Sequence, residues 1–168
     1  MKDQQTLILD SNKIEKIVKR IAFQIYENNA VETDLFIAGI WDRGYHLAEM
    51  MARELTEISP IKTHLLRIDI DKQDPVSSEV KMDKPVTTVE NQRVILVDDV
   101  LNTGRTLFYA LEPFMNISLQ KLEIAVLVNR SHACFGVYPQ YTGYELATTL
   151  EEHIHVSFEE EPKGVFLR

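Results

Sequence analysis

Val94-Ile95-Leu96-Val97-Asp98-Asp99-Val100-Leu101-Asn102-Thr103-Gly104-Arg105-Thr106 is the run that decides how this chain folds and what it can bind. Its four leading apolar residues predict a buried strand over 94–97, followed by a polar turn over 98–104 and a helix beginning near Arg105. Two carboxylates therefore stand at the C-terminal end of a strand, where open parallel sheets bind their ligands. A helix N-terminus brings unpaired N–H groups and a positive dipole end, which suit a phosphate. The Thr103 and Thr106 hydroxyls add donors, and Gly104 lets the backbone approach closely. Asp98 and Asp99 are wrong for the phosphate itself but suit sugar hydroxyls or a magnesium ion beside them. A plain strand-to-helix turn capped by Asp and Thr is the simpler alternative. A lone Asp pair would favour that alternative, whereas strand, acidic pair and phosphate turn in this order favour a site for a phosphorylated sugar.

Outward from this run the chain alternates between two periods. Ile14, Ile17, Val18, Ile21 and Ile25 predict a helix over 12–28, with Asn12 and Glu15 resembling a capping box. Leu35 to Ile40 predicts a buried strand, Arg43-Gly44 a short loop, and Leu47, Met50, Met51, Leu55 and Ile58 a second helix. His64 to Ile70 predicts another strand. Residues 71–90 are rich in Asp, Lys, Ser and Pro without a sustained apolar period, and a loop of that length in a compact domain is functional or mobile. Pro113 limits the helix that starts near Arg105, and Leu122 to Val128 is a further strand. Residues 138–149 read as irregular, and 153–158 and 165–167 as edge strands or a small hood. Strands alternating with helices predict an α/β fold with a mostly parallel central sheet, in one domain spanning 1–168.

Bulk properties restrict the function classes. The 168 residues are 45% hydrophobic and 26% charged, an ordinary globular balance. No apolar run approaches the length of a membrane span, and the segment from Met1 to Asp10 lacks the pattern of a signal peptide. With a single cysteine, Cys134, outside any nucleophile motif, a cytoplasmic setting is expected. The net charge of −8 opposes binding to nucleic acid.

The 94–106 run resembles the phosphoribosyl pyrophosphate (PRPP) motif of type I phosphoribosyltransferases. Further stretches resemble the bacterial bifunctional regulators of pyrimidine operons that are also uracil phosphoribosyltransferases. These are Arg20-Ile21-Ala22, Ala38-Gly39-Ile40-Trp41-Asp42-Arg43-Gly44, Ala125-Val126-Leu127-Val128-Asn129-Arg130 and Tyr141-Thr142-Gly143. The resemblance implies the phosphoribosyltransferase fold with a C-terminal hood over about 134–168. It implies that Asp98 and Asp99 hold the ribose 2′- and 3′-hydroxyls, with Mg²⁺ bound there directly or through those hydroxyls. Asn102, Thr103, Gly104, Arg105 and Thr106 would hold the 5′-phosphate. Asp42, Arg43 and Gly44 would hold pyrophosphate, in a loop that often carries a cis or strained peptide, and 71–90 would be a lid. Asp98, Asp99 and Arg43 are the expected catalytic residues. The expected reaction joins PRPP to a nucleobase, uracil before a purine, giving UMP and pyrophosphate in a homo-oligomer. Asp42 stands where the related regulators have Thr, and Tyr144 where they have Lys. Asn102 replaces the Asp of purine-specific relatives.

The rival class is a nucleotide-sensing RNA-binding regulator. Lys13, Lys16 and Arg20, with Lys19, form a basic face on the first helix that could meet phosphates. A solvated helix face is the plainer reading, and the net charge agrees with it. Phe23 stands where the family has an RNA-contacting His. The alternating pair His153 and His155 lacks a third ligand and reads as surface or interface histidines. His132 carries no assigned chemistry.

Overall fold

A computed structural model describes residues 5–147 and 152–168. Within them β1 (Thr6–Asp10) leads directly into α1 (Ser11–Asn28), then β2 (Asp34–Ile40), α2 (Arg43–Ile58) and β3 (Lys62–Asp69). The chain continues through β4 (Lys81–Met82), β5 (Arg93–Leu101), α3 (Arg105–Ala110), β6 (Lys121–Asn129) and β7 (Tyr141–Glu145), and ends with β8 (Ile154–Ser157) and β9 (Gly164–Leu167). Six strands form one sheet in the order β4-β3-β2-β5-β6-β7, parallel except for the edge strand β4. The expected α/β class with a mostly parallel sheet is thus observed.

The strand order explains where a ligand can bind. From β2 the chain winds outward to β3 on one side, and from β5 outward to β6 and β7 on the other. Between β2 and β5 it switches direction, opening a crevice at the carboxyl ends of these two neighbouring strands. Both strands are apolar on both faces, as buried parallel strands must be. Ile37, Ile95 and Val97 join the core under α1 and α2, whereas Ala38, Val94 and Leu96 join a second core on the opposite face. Among the described residues no helix is long and apolar enough to cross a membrane.

Several local expectations are corrected. The cap of α1 is Asp10, whose carboxylate accepts from the Lys13 N–H at 2.8 Å, rather than Asn12. β5 continues beyond Val97 through the acidic pair to Leu101, because pairing with β6 persists to Leu101 and Asn129. Asp98 and Asp99 therefore lie on a strand instead of in a turn. Residues 141–145, expected to be irregular, form β7 against β6; residues 148 and 149 of that stretch lie outside the described residues. Segment 71–90 contains β4 and a 3-10 turn at Val86–Val89, and it buries Pro75, Val80 and Val89. The hood is a separate antiparallel sheet, β1-β9-β8, that incorporates the N-terminal strand as well as the expected C-terminal ones. Leu9, Val156 and Val165 tie this sheet into the core beneath α1 and α2.

At the end of the sheet away from the crevice lies a buried carboxylate, Glu123 of β6, exposed to only 3%. It accepts from the Tyr141 hydroxyl at 3.0 Å and Asn29 at 3.3 Å, and pairs with Lys121 at 2.7 Å. These partners offset the cost of removing the charge from water. Burial pushes the Tyr141 phenol up to about 12, so it remains a donor at any physiological pH. Tyr141→Phe should lower stability by about 1–2 kcal/mol, since it leaves a buried acceptor short of one donor. A urea titration would show a lower midpoint at unchanged slope, and an unmoved midpoint would mean that this hydrogen bond contributes nothing net.

Candidate active site

The crevice is built from two chain segments at neighbouring strand ends. β2 ends at Ile40, and the chain passes through Trp41 and Asp42 into α2 at Arg43. The Trp41–Asp42 peptide is cis, matching the kind of loop that the resemblance implied. Gly44 then lies against β5 so closely that a Cβ there would stand 2.7 Å from the Val97 carbonyl oxygen and 2.9 Å from the Asp98 Cα. This contact requires glycine and fixes the N-terminus of α2 beside the acidic pair.

Asp98 and Asp99 are 2% and 5% exposed, adjacent, and both at the carboxyl end of β5. Two cations face them. The Lys72 ammonium bonds Asp98 Oδ1 at 3.1 Å and stands 3.9 Å from Asp99 Oδ1. The Arg43 guanidinium stands 3.9 Å from Asp99 Oδ2. Burial, then the neighbouring Asp99, raises the Asp98 carboxyl from 3.8 to about 7, even though Lys72 pulls the other way. Lys72 is raised as well: burial opposes its charge, but Asp98 and Asp99 outweigh burial.

The turn after β5 is held from outside. Gly104 has φ +82°, a left-handed conformation that favours glycine, and a Cβ there would also meet Val137 at 2.5 Å. The Thr103 carbonyl accepts from the Cys134 and Phe135 N–H groups at 2.8 and 3.1 Å, and the Arg105 N–H donates to Thr103 Oγ1 at 3.3 Å. Arg130, buried to 3% exposure, donates to Asn102 Oδ1 at 3.1 Å and through its other nitrogen to the Glu152 carbonyl at 2.7 Å. The helix that opens here, α3, has only six residues, ending three residues before Pro113. Thr106 lies in its first turn, half-buried.

The structure thus gathers Asp98, Asp99, Arg43 and Gly44 around one point, with Asn102 to Thr106 on the turn that follows. Asp42 is exposed, and its side chain does not cap α2. With Arg43, Trp41 and Tyr45 it lines a cleft of about 420 Å³ whose far wall is His155 to Glu160 of the hood. Burial, then Arg43 and Arg168, holds the His155 imidazole below its usual value. Sequence reasoning missed Lys72, and it gave no role to Arg130 or to His155, which faces the cleft. Only Arg130 carried a signal, as the cation ending an apolar strand. Among the described residues no group of three or more His, Cys, Asp or Glu side chains could hold a metal by itself. On α1, Arg20 is committed to the Thr142 carbonyl at 3.3 Å and to that of Gly143, leaving Lys13, Lys16 and Lys19 as the solvated portion of the basic face.

Comparison with known proteins agrees with this architecture. The phosphoribosyl transferase domain family matches residues 4–160. The chain belongs to the phosphoribosyltransferase family. It is 33% identical to the bifunctional protein PyrR of Limosilactobacillus reuteri over 162 residues, covering 91% of each chain. It is 31% identical to the bifunctional protein PyrR of Haemophilus ducreyi, covering 92% of this chain and 90% of the relative. These similarities make it a PyrR-like type I phosphoribosyltransferase. A hypoxanthine phosphoribosyltransferase of Trypanosoma cruzi shares its fold, with a TM-score of 0.71 at 15% identity over 84% of this chain and 81% of that one. A hypoxanthine-guanine phosphoribosyltransferase of Bacillus anthracis has a TM-score of 0.69 at 16% identity, covering 83% and 81%.

The raised Asp98 carboxyl makes stability depend on pH with a definite sign. Between pH 3.8 and about 7 the folded state holds more protons than the unfolded chain, so this group's contribution falls as pH rises through that window. Asp98→Asn should therefore stabilise the ligand-free protein at pH 8 by roughly 2–4 °C in Tm, what about 1 kcal/mol is worth at this size. The gain should vanish near pH 4. Equal Tm shifts at the two pH values would show that the raised Asp98 carboxyl is not the cause.

Proposed function

We propose that this protein transfers the phosphoribosyl group of PRPP to uracil, giving UMP and pyrophosphate, with Mg²⁺ as cofactor. The observation that carries the reading is the buried pair Asp98 and Asp99 at the switch point, faced by Arg43 across 3.9 Å and followed by the glycine turn 102–106. Carboxylates accept hydrogen bonds in pairs, which suits the vicinal 2′- and 3′-hydroxyls of a ribose. The turn's backbone donors, its two threonines and Arg105 suit the 5′-phosphate. Arg43 at the N-terminus of α2 suits the pyrophosphate, together with Gly44 and the edge of Asp42.

The donor set also fits magnesium. It offers hard carboxylate oxygens and too few of them for a full cage, as expected of an ion that shares its coordination with a substrate and water. Asp98 and Asp99 would hold it, directly or through the ribose hydroxyls, and when bound it supplies positive charge against the diphosphate.

In the proposed reaction the lone pair of a uracil ring nitrogen forms a bond to C1 of the ribose. The C1–O bond to pyrophosphate breaks and its electrons leave with that oxygen, while the nitrogen's proton passes to solvent. The sugar is oxocarbenium-like between the two events. The chain's contribution is orientation by the acidic pair and the turn, with stabilisation of the departing charge by Arg43. Segment 71–90 would close over PRPP and exclude water. No side chain is assigned as general base.

Uracil is favoured over a purine by the PyrR-like sequence and by Asn102, whose side-chain oxygen is engaged by Arg130. An RNA-binding regulator remains the second reading because the relatives are named bifunctional. Arg20, the cation of the basic face that reaches β7, is already tied to backbone carbonyls there, which weakens that reading. A homo-oligomer is proposed on family resemblance alone.

Turnover with PRPP and Mg²⁺ against uracil, hypoxanthine, guanine, adenine and orotate tests the proposal, with pyrophosphate and nucleotide as readouts. UMP from uracil is the expected product. A different nucleotide would correct the base, and saturable PRPP binding without turnover would favour the regulator. The variant carrying Asp98→Asn and Asp99→Asn should remain folded and lose PRPP binding. Arg43→Ala should lower kcat/KM by about 10²–10³-fold, the typical loss for one transition-state cation or donor.

A further inference from the structure

Lys72 is the cation closest to the acidic pair, and it comes from the segment between β3 and β4 instead of the motif. Its ammonium lies 3.1 Å from Asp98 Oδ1 and 3.9 Å from Asp99 Oδ1, so one positive charge serves both carboxylates. Both carboxylates are almost fully buried, while the Lys72 side chain is 39% exposed. The ammonium therefore closes the pair off from the solvent side. That is also where a divalent cation or a ribose diol must approach, since Gly44 and the backbone of β5 fill the inner side.

The backbone around Lys72 holds it in place. The Asp71 carboxylate accepts from the Gln73 and Asp74 N–H groups at 2.9 and 3.2 Å, and Asp74 accepts from Ser77 at 3.3 Å. Pro75 and Val80 are buried beyond it. Two consecutive Asp-capped turns thus present the lysine inward from a segment anchored at both ends.

We infer that Lys72 is a built-in stand-in cation, which neutralises Asp98 and Asp99 in the ligand-free protein and must be displaced before a divalent cation can bind there. The inference rests on the proposed role of the acidic pair but not on any particular base or on turnover. A lysine suits a replaceable charge better than an arginine, because its ammonium is a compact, strongly hydrated point charge on a flexible stem. Two buried carboxylates left without it would repel each other, so the stand-in keeps the site formed while empty. Its release would couple occupation of the site to movement of the 71–90 segment.

The test uses Mn²⁺ alone as probe, read by its electron paramagnetic resonance signal and by thermal denaturation, with no nucleobase present. Lys72→Gln should bind Mn²⁺ roughly tenfold or more tightly than the unaltered protein. Its Tm should be lower without metal and recover with it. Lys72→Arg, which keeps the charge, should stay close to the unaltered protein. Equal Mn²⁺ affinity for the unaltered protein and the glutamine variant would overturn the inference. Should the glutamine variant not fold, acetylation of the unaltered protein decides. Saturating Mn²⁺ should speed modification of Lys72 relative to the exposed Lys13, and an unchanged ratio would count against displacement. Mn²⁺ binding as described but no nucleotide formation would leave this inference standing and the proposed reaction refuted.

Discussion

Two carboxylates on consecutive residues of one buried strand are the constraint around which the site is organised. Asp98 and Asp99 have almost no water to solvate them, and burial, then the neighbouring Asp99, raises the cost of charging Asp98. A strand end can hold such a pair only if cations are brought to it. Arg43 arrives from the first turn of α2 and Lys72 from the excursion beyond β3, both at the crevice beside the β2–β5 switch point. Arg43 and Lys72 together set two positive charges against the two carboxylates in the ligand-free protein.

The close approach of α2 to β5 follows from this need. Gly44 permits the helix to sit against the Asp98 backbone. Gly39 has the same role a layer further back, where a Cβ would meet the Gly44 carbonyl at 2.8 Å and Ala48 at 2.9 Å. Glycines on β2 and α2 thus let the first turn of α2 reach the acidic pair. A bulkier residue at either position would move Arg43 away from Asp99, although neither glycine contacts a ligand through a side chain in the proposed arrangement. Packing and chemistry are inseparable on this side of the crevice.

How much of this was legible in the sequence follows from how chemistry is distributed along the chain. The 94–106 run was readable because its apolar strand, acidic pair and glycine turn are contiguous. The strand's true end at Leu101 was not, because Asp98 and Asp99 interrupt the apolar pattern while the backbone ladder to β6 continues. β7 was missed because Tyr-Thr-Gly-Tyr-Glu shows no alternation. It is a strand because Gly143 lets α1 and β6 close on it, with Ile17 and the Leu127 carbonyl within 2.6 Å of where a Cβ would stand. Lys72 was hidden because it lies 26 residues from its partner in a segment without period, and only the tertiary path brings it back. The N-terminal hood strand was hidden for a similar reason: its pairing partner, β9, is at the other end of the chain.

Arg130 shows how the hood and the turn can act as one unit. A buried guanidinium is costly unless its donors are used, and Arg130 directs them to the Asn102 side chain in the turn and to the Glu152 carbonyl just before β8. Its own N–H bonds the Leu101 carbonyl, so the end of β6 is locked to the end of β5. The 102–106 turn is therefore supported from below by β6 and from the side by the Cys134 and Phe135 amides, and the approach to the hood hangs from the same arginine. Any shift of the hood over the crevice has to be accommodated at Arg130, and through Asn102 it reaches the residues proposed to hold the 5′-phosphate. Position 102 is where the purine-specific relatives place an acid, and here it is an amide already bonded to a cation. That makes the identity of residue 102 as much a matter of supporting the turn as of choosing a base.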